Sequence, residues 1–389
     1  MNIPSSTRNI TTEAALQVLA EAAQMRQNGA NIAMLCVGQP DFAPAPHIQD
    51  AAARAARDGP HGYTDPVGIA SLREALAEYH EPDAGHSLDP ARFIVTPGGK
   101  PTAWLAILML AEPGAEIILP DPFFPVYETS INFNGAEAVT IPLQEKDGFA
   151  LRPEALRERM SDKTRLVLVN SPANPTGAML SEAHTREIAE IVAEFPDAYL
   201  LSDEIYSRIV FEPHRHHSFL RYDFLDAQLI YLNGFSKTYA MTGWRVGYGY
   251  WPLHLVDLAT RFTTNAHSCV NGVAQVAAEA ALRGSQDQVV EMTRAFRGRA
   301  AVARAALEDI PGVSCVEPAG AFYLFPRVGG GLSSVEMARR LLRERGLALA
   351  HGTAFGENGE GFLRFSVAAS EAEIMDGVGR LAAFLADLG

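Results

Sequence analysis

The chain has few cysteines, fewer basic than acidic residues and no long apolar run, and each scarcity excludes a class of protein. Its three cysteines, Cys36, Cys269 and Cys315, are odd in number and widely separated. This usage fits buried thiols in a reducing compartment. Without a Cys-x-x-Cys pair, the cysteines do not indicate a zinc site.

The shortage of basic residues argues against nucleic acid as a partner. Lys plus Arg number 32 against 46 Asp plus Glu, a net charge of −14, which repels phosphate backbones. The longest strongly apolar stretch, residues 103–111, is far shorter than the ~20 residues that cross a bilayer. The opening MNIPSSTRNITTEAALQ lacks the basic-then-apolar pattern of a signal peptide. We expect a soluble, cytoplasmic protein that binds neither nucleic acid nor membrane.

What is present is ordinary globular composition over 389 residues, with 48% hydrophobic and 20% charged residues. From about residue 45 to 280, short β-branched runs alternate with alanine-rich helical stretches. Several runs are apolar throughout, as expected of strands with helices on both sheet faces. The pattern predicts an α/β large domain with a mostly parallel seven-stranded sheet covered by helices. The predicted strands are residues 93–96, 116–119, 138–141, 165–170, 198–202, 229–233 and 245–250.

The last hundred residues have a different pattern. A long helix is predicted at 286–307, followed by strands at 313–316, 321–326 and 363–367 with a helix at 334–345 between them. An opening helix at 12–28 ends before Gly29, a residue typical of the position after a helix. We therefore predict two domains. The large domain comprises 45–282, and a smaller α+β domain is formed by 1–44 together with 283–389.

Lys237 is the strongest candidate for chemistry. It lies just past an apolar strand, where the carboxyl ends of strands in an open α/β sheet form the ligand crevice. A lysine partly removed from water there presents a neutral amine that can attack an aldehyde. By position alone it also fits a surface lysine in a loop.

A second group of residues suits an anion. Arg245 follows Lys237 by eight positions, at the head of the next predicted strand, and Ser236 lies beside the lysine. A guanidinium and a hydroxyl together match a dianionic phosphate. Upstream, the turn through Gly99 and Lys100 leads into a helix opened by a proline, which would add backbone N–H donors. A Gly-Gly turn alone is usually only a turn.

Two further strand ends carry polar side chains. Asn174 lies in a tight loop after one strand, and Asp203 and Tyr206 follow the next. A buried aspartate at a strand end needs a cationic partner, although a helix cap or a structural salt bridge is an equal alternative. Taken jointly, these residues fit an aromatic aldehyde phosphate with a ring nitrogen, and pyridoxal 5'-phosphate has this chemistry.

In this light the chain resembles the class I/II aminotransferases of fold type I, the aspartate-aminotransferase-like group. The resemblance rests on residues 170–177, 202–206 and 236–247, and extends from residue 35 to residue 366. It implies that Lys237 and Asp203 are catalytic. It also implies that the cofactor is held by a set of residues comprising Lys237, Asp203, Tyr206, Asn174, Ser236, Arg245, Gly99, Lys100, Phe124 and Tyr63.

Further roles follow from the resemblance alone. Phe124 matches the position of the aromatic residue that stacks on the cofactor ring. Tyr63 matches the position of a tyrosine that reaches the partner subunit's site, which implies a homodimer. Gly38 and Arg364 match positions that hold the substrate α-carboxylate, with Asn174 and Phe124 beside them. The planar guanidinium of an arginine on a strand suits a carboxylate on physical grounds as well.

These observations predict transfer of an amino group from an L-amino acid to a 2-oxo acid, with Lys237 moving the Cα proton. Lys100 matches a lysine that meets the distal carboxylate in some aspartate-specific relatives, so aspartate with 2-oxoglutarate is the first choice. Aromatic or small neutral amino acids are alternatives, as is a carbon–sulfur β-lyase of the same fold. A non-catalytic cofactor-binding regulator, which normally carries an added DNA-binding module, is not expected of this acidic chain. A serine hydrolase at Ser236 lacks the second glycine of Gly-x-Ser-x-Gly.

One histidine-rich run is interpreted as a solvated loop. Residues 214–217 read His-Arg-His-His, but no cysteine lies nearby to complete a metal site. We predict no metal.

Overall fold

The computed structural model describes residues 5–8, 10 and 14–388. Its strands are β1 Ala33–Met34, β2 Phe93–Thr96, β3 Glu116–Asp121, β4 Glu137–Pro142, β5 Thr164–Asn170, β6 Tyr199–Asp203, β7 Leu229–Gly234, β8 Gly247–Tyr250, β9 Val313–Ser314, β10 Tyr323–Leu324, β11 Arg327–Val328, β12 Leu347–Ala348, β13 Ala350–His351 and β14 Leu363–Ser366. Its helices are α1 Ser5–Arg8, α2 Ala14–Gln27, α3 Pro46–Asp58, α4 Ala70–Ala84, α5 Lys100–Leu110, α6 Val126–Asn134, α7 Pro153–Arg157, α8 Glu182–Ala193, α9 Phe235–Thr238, α10 Leu253–His267, α11 Gly272–Arg283, α12 Asp287–Glu308, α13 Ser334–Arg345 and α14 Glu371–Ala386.

A seven-stranded sheet with the order β2-β8-β7-β6-β5-β3-β4 forms the centre of the molecule. Strands β3 to β7 are parallel to their neighbours within that group, and β8 runs antiparallel to both β7 and β2. The carboxyl ends of β5, β6 and β7 therefore meet the beginning of β8 at one edge. Loops that carry polar side chains converge there.

Apolar residues pack on both faces of this sheet, which is why its strands read as continuous apolar runs. Successive residues of β5 alternate between two clusters: Leu166 and Leu168 pack with α5 and α6, whereas Val167 and Val169 pack with α8 and α11. Burial on both faces rigidly fixes the strand ends, and so fixes the loops that follow them.

A second group of elements packs beside the sheet edge. The strands β10, β14 and β13 form an antiparallel sheet, and β1 pairs with β12. Their apolar side chains share a cluster with α12, α13 and α14. This arrangement brings residues near 35 together with residues near 365, because the Ser366 N–H donates to the Leu35 carbonyl.

The predicted fold class is confirmed, with the expected strands present and their ends shifted by one or two residues. The helix α2 ends ahead of Gly29, whose φ of +91° is the left-handed conformation that glycine adopts readily. Positions 12 and 13 of the predicted opening helix lie outside the described residues. The two-residue strands β1, β11, β12 and β13 were not predicted, because a strand of two residues is too short to show an alternating pattern. Within the described part of the chain, the helices are all too short or too polar to span a bilayer.

Candidate active site

A cavity of about 350 Å³ opens at the carboxyl edge of the seven-stranded sheet, against β10 and β14. It brings together the predicted site residues from seven separate segments of the chain. Those that line it are Gly38, Gly99, Lys100, Phe124, Asn174, Asp203, Tyr206, Ser236, Lys237, Arg245 and Arg364.

Lys237 lies on the one-turn helix α9, which follows β7 directly. Every residue of β7 is buried, so the start of α9 is held rigidly and the lysine side chain extends into the cavity. Its Nζ donates a hydrogen bond of 2.5 Å to the Gly38 carbonyl. An amine so placed is partly buried and can reach a carbonyl carbon bound in the cavity.

Asp203 ends β6 with its side chain buried. Its carboxylate accepts hydrogen bonds from two neutral donors, the Tyr127 hydroxyl at 2.5 Å and the Ile205 N–H at 3.1 Å. Burial raises the pKa of the Asp203 carboxyl to about 6, against the lowering effect of the Tyr127 hydrogen bond. A buried carboxylate of this kind suits a ligand that carries positive charge, such as a protonated ring nitrogen.

Tyr127 is a site residue that sequence reasoning missed. Burial, together with the Asp203 charge, raises the pKa of Tyr127 well above its usual value, so its hydroxyl remains a donor. Its ring also packs edge-on against Phe124, with ring centres 5.7 Å apart. The signal available in the sequence was its position three residues after Phe124, in the first turn of α6.

The end of the cavity that was predicted to bind an anion combines a glycine turn, a helix start and Arg245. Gly98 has a φ of +92°, and a Cβ there would collide with the Arg245 guanidinium. Arg245 itself adopts a left-handed conformation two residues before β8, so its prediction as the head of that strand was wrong. Its Nη1 and Nη2 donate to the carbonyls of Thr242 at 2.8 Å and Pro97 at 3.1 Å.

Ser236 and the start of α5 complete this end. Ser236 is buried in α9 beside the lysine. The helix α5 begins at Lys100, one residue before the proline that was predicted to open it, and Gly99 caps it. The first N–H groups of such a helix have no partner within the helix and carry positive partial charge, which favours a phosphate.

Arg364 lies on β14 at the opposite side of the cavity and is 4% exposed. Its Nη1 donates to the Asn174 Oδ1 at 2.8 Å and its Nη2 to the Cys36 carbonyl at 2.6 Å. The Nε atom is buried and has no hydrogen-bond partner among the described residues. A buried guanidinium with an open donor is suited to a carboxylate.

Tyr206 and Tyr323 form the floor between these two ends. Both side chains are buried, and their hydroxyl groups lie 2.9 Å apart. Sequence reasoning identified Tyr206 and missed Tyr323, which lies in a predicted strand that carried no other polar signal.

Lys100 and Phe124 line the outer wall. The Lys100 side chain is exposed, and its Nζ lies 5.1 Å from the centre of the Phe124 ring. Both side chains line the cavity, and the Lys100 cation lies over the face of the Phe124 ring.

Tyr63 does not line the cavity, in contrast to the other predicted site residues. It is 92% exposed, an unusual state for a large aromatic side chain.

The interpretation of residues 214–217 as a solvated loop was wrong for one of them. The His216 side chain is 9% exposed, and its Nε2 lies 2.6 Å from the Glu204 Oε2. Glu204 is itself buried and accepts hydrogen bonds from Ser218 and the Phe219 N–H. Over the residues that the structure describes, no group of three or more His, Cys, Asp or Glu is arranged to hold a metal ion.

The donor set of this cavity fits pyridoxal phosphate. The Asp203 carboxylate is buried with neutral donors, the Arg364 guanidinium is buried with an open donor, and the glycine turn leaves no room for a Cβ. A strand-end lysine in such a cavity, above a mostly parallel sheet, places the protein in the class of fold type I pyridoxal-phosphate enzymes.

The chain belongs to the aminotransferase class I and II family, whose model matches residues 30–381. It is 35% identical to an aspartate aminotransferase of Pyrococcus horikoshii over 90% of each chain, and 34% identical to an aromatic-amino-acid aminotransferase of Thermococcus litoralis over 90% of each. Its structure matches that of the aspartate aminotransferase of Rhizobium meliloti with a TM-score of 0.94, 32% identity and full coverage of both chains. The protein is a pyridoxal-phosphate-dependent aminotransferase, as the sequence resemblance predicted.

Proposed function

We propose that this aminotransferase takes the amino group from aspartate and passes it to 2-oxoglutarate. The observation that carries the proposal is a pair of cations on different walls of the cavity, Arg364 on β14 and Lys100 at the start of α5. Aspartate and 2-oxoglutarate are both dicarboxylates, so each would place one carboxylate on each cation. The relatives named as aspartate aminotransferases support the same choice.

Arg364 and Gly38 would bind the α-carboxylate. The Nε of Arg364 supplies the open donor, while Asn174 and the Cys36 carbonyl hold the other two nitrogens in place. Because these partners are fixed before substrate binds, little side-chain entropy is lost on binding.

Pyridoxal phosphate, when bound, supplies an aldehyde that links to an amine and a ring that accepts the electron pair of the substrate Cα. Asp203 would hold the proton on the ring nitrogen, with Tyr127 directing its carboxylate. Tyr206 and Asn174 would bind the ring hydroxyl, Phe124 would stack on the ring, and Ser236, Arg245 and the N–H groups of the Gly99 turn would bind the phosphate.

Lys237 would carry the proton between the substrate Cα and the aldehyde carbon. Lys237 lines the cavity, and its Nζ donates to the carbonyl of Gly38, one of the residues that would bind the carboxylate. General acid–base transfer of this kind contributes roughly 10²–10⁴-fold to a rate.

A screen of amino donors against 2-oxoglutarate and pyruvate tests the substrate proposal. We expect the highest kcat/KM for aspartate with 2-oxoglutarate. A higher kcat/KM for alanine with pyruvate, or for any donor without a second carboxylate, would contradict it.

An aromatic donor is the second candidate. The cavity lining includes the apolar side chains of Leu16, Val37 and Phe124 as well as Lys100. The relative from Thermococcus litoralis carries that activity in its name. Phenylalanine and tyrosine in the same screen test it, and incubation without a 2-oxo acid tests the β-lyase alternative, which would release ammonia and pyruvate.

We also propose a homodimer in which Tyr63 reaches the neighbouring cavity. Its 92% exposure on a loop outside its own cavity supports this placement. Mixing Lys237→Ala subunits with Tyr63→Ala subunits tests it. A hybrid dimer would contain one intact site, so activity should rise above that of either variant; additive residual activities would contradict the shared site.

We further propose that residues 45–282 form the large domain, that 1–44 and 283–389 together form the small domain, and that the protein is cytoplasmic. The packing of α11 on α3 and of α12 on α14 supports a boundary between α11 and α12. Cys36, Cys269 and Cys315 are free thiols, which supports a reducing compartment.

A further inference from the structure

Tyr323 connects the two ends of the cavity and has no role assigned so far. It is 2% exposed and lies on β10, which pairs with β14 so that Tyr323 is opposite Ser366. Arg364 is two residues before Ser366 and therefore extends from the same face of this small sheet as Tyr323.

The ring of Tyr323 supports the guanidinium of Arg364. The Arg364 Cζ lies 4.5 Å from the centre of the Tyr323 ring and 4.7 Å from that of Phe355. A guanidinium held near two aromatic rings is stabilised by their negative faces and loses rotational freedom.

The hydroxyl of Tyr323 faces the other end of the cavity. It lies 2.9 Å from the Tyr206 hydroxyl, and the two rings pack edge-on. Each phenol has one proton to donate. If Tyr206 uses its proton on the ring hydroxyl of the cofactor, Tyr323 must be the donor of the bond between them.

The position of this hydroxyl is tightly restricted. A Cβ at Gly38 would overlap the Tyr323 hydroxyl, so the backbone of residue 38 closes over it. The carbonyl of the same Gly38 accepts the hydrogen bond from the Lys237 Nζ. Tyr323 therefore contacts three groups at once: the Gly38 backbone that binds Lys237, the Tyr206 hydroxyl and the Arg364 guanidinium.

We propose that Tyr323 is a positioning residue with two separable parts: its hydroxyl directs the Tyr206 proton toward the cofactor's ring oxygen, and its ring holds Arg364 for the substrate carboxylate. This rests on the roles proposed above for Tyr206 and Arg364. When a hydroxyl accepts a hydrogen bond on its oxygen, the hydrogen bond that the same hydroxyl donates becomes stronger. The bond from Tyr323 to Tyr206 would therefore strengthen the bond from Tyr206 to the cofactor.

Tyr323→Phe tests the hydroxyl while keeping the ring. A hydrogen bond to the cofactor's ring oxygen favours its ionised form, so a weaker Tyr206 donor should raise the pH midpoint of the cofactor's visible absorbance by roughly 0.3–1 unit. The affinity for maleate, an unreactive dicarboxylate, should change less than about twofold because the ring is retained. An unchanged pH midpoint would overturn the hydroxyl part.

Tyr323→Leu tests the ring. Maleate binding, measured by calorimetry on the holoenzyme, should weaken roughly 3–30-fold relative to Tyr323→Phe. Equal maleate affinity in the two variants would overturn the ring part.

Tyr199→Phe is the matched control. It removes a phenol hydroxyl that lies 2.8 Å from His254, outside the cavity lining, and should leave both readouts unchanged. A shift of the same size in this control would overturn the assignment to Tyr323. A failure of the proposed role of Arg364 can be told apart from a failure of the Tyr323 proposal. In the first case Arg364→Ala would bind maleate normally, while Tyr323→Phe would still shift the pH midpoint.

Discussion

The half of the cavity beside the seven-stranded sheet takes its polar residues from strand ends, with Asp203 after β6, Lys237 after β7 and Arg245 before β8. The half beside β14 takes Gly38, Tyr323 and Arg364 from distant parts of the chain. The arginines of the two halves differ in their exposure and in their hydrogen-bond partners. Arg245 is exposed and bonded to two backbone carbonyls, whereas Arg364 is buried with its side chain locked in place.

This difference illustrates two ways in which a protein can present an arginine to an anion. An exposed arginine can change partners at small cost, because solvent and backbone carbonyls are nearly equivalent to it. A buried one must be held in its binding geometry in advance, since leaving it without partners costs several kcal/mol. We therefore expect substitutions in the first half to affect mainly kcat, and in the second half mainly KM.

The largest effect should come from Lys237→Ala, which removes the reactive amine of the first half. Turnover should fall by roughly 10²–10⁴-fold or more. The visible absorbance of the bound cofactor should be lost, and borohydride reduction followed by peptide mapping should no longer label this peptide. Lys163→Ala removes an exposed lysine beside Glu116 and serves as the control. Near-normal turnover in Lys237→Ala would contradict the assignment.

Asp203→Asn should lower activity but raise the stability of the apoprotein. Loss of the carboxylate beside the ring nitrogen should lower kcat by roughly 10²–10³-fold. The apoprotein should nevertheless gain stability above pH 6. Because the folded-state pKa of Asp203 is raised to about 6, the native state binds the proton more tightly than the unfolded state does. Ionisation therefore destabilises the apoprotein as pH rises from about 4 to 6.

The gain in the free energy of unfolding should be roughly 1–3 kcal/mol. Denaturant unfolding of the apoprotein at pH 4.5, near the lower end of that range, and at pH 7.5, above it, measures the gain. A difference between variant and wild type that does not grow with pH would show that Asp203 titrates normally.

Arg364→Ala tests the second half. Loss of the charge-assisted pair with the substrate, worth roughly 2–4 kcal/mol, should raise KM by about 30-fold or more for every amino acid, with cofactor absorbance retained. Arg380→Ala is a suitable control, because Arg380 bonds the carbonyls of Asn31 and Gly346 away from the cavity. An unchanged KM would remove Arg364 from the site.

The smallest effect should come from Lys100→Ala, which acts at the rim. It should raise KM for aspartate by roughly 5–30-fold, through one charge-assisted hydrogen bond of about 1–2 kcal/mol. KM for alanine should stay the same, since its side chain has no carboxylate. An equal change for both donors would assign Lys100 to the cofactor instead of the substrate.

The alternation of apolar runs and helices was sufficient to predict the seven-stranded sheet, because strands buried on both faces leave a strong local pattern. The residues after those strands were predictable for the same reason, since parallel strands bring their carboxyl ends to one edge. The roles of Gly38, Phe124 and Tyr63 came only from family resemblance.

The sequence by itself determined the fold class, the aminotransferase family and the strand-end residues Asp203 and Lys237. Only the tertiary structure revealed Tyr127 against Asp203, Tyr323 between Tyr206 and Arg364, and His216 bound to Glu204. Those contacts join side chains up to 117 positions apart. No local periodicity or motif predicts a contact between residues so far apart in the sequence, because such a contact forms only when helices and sheets pack together.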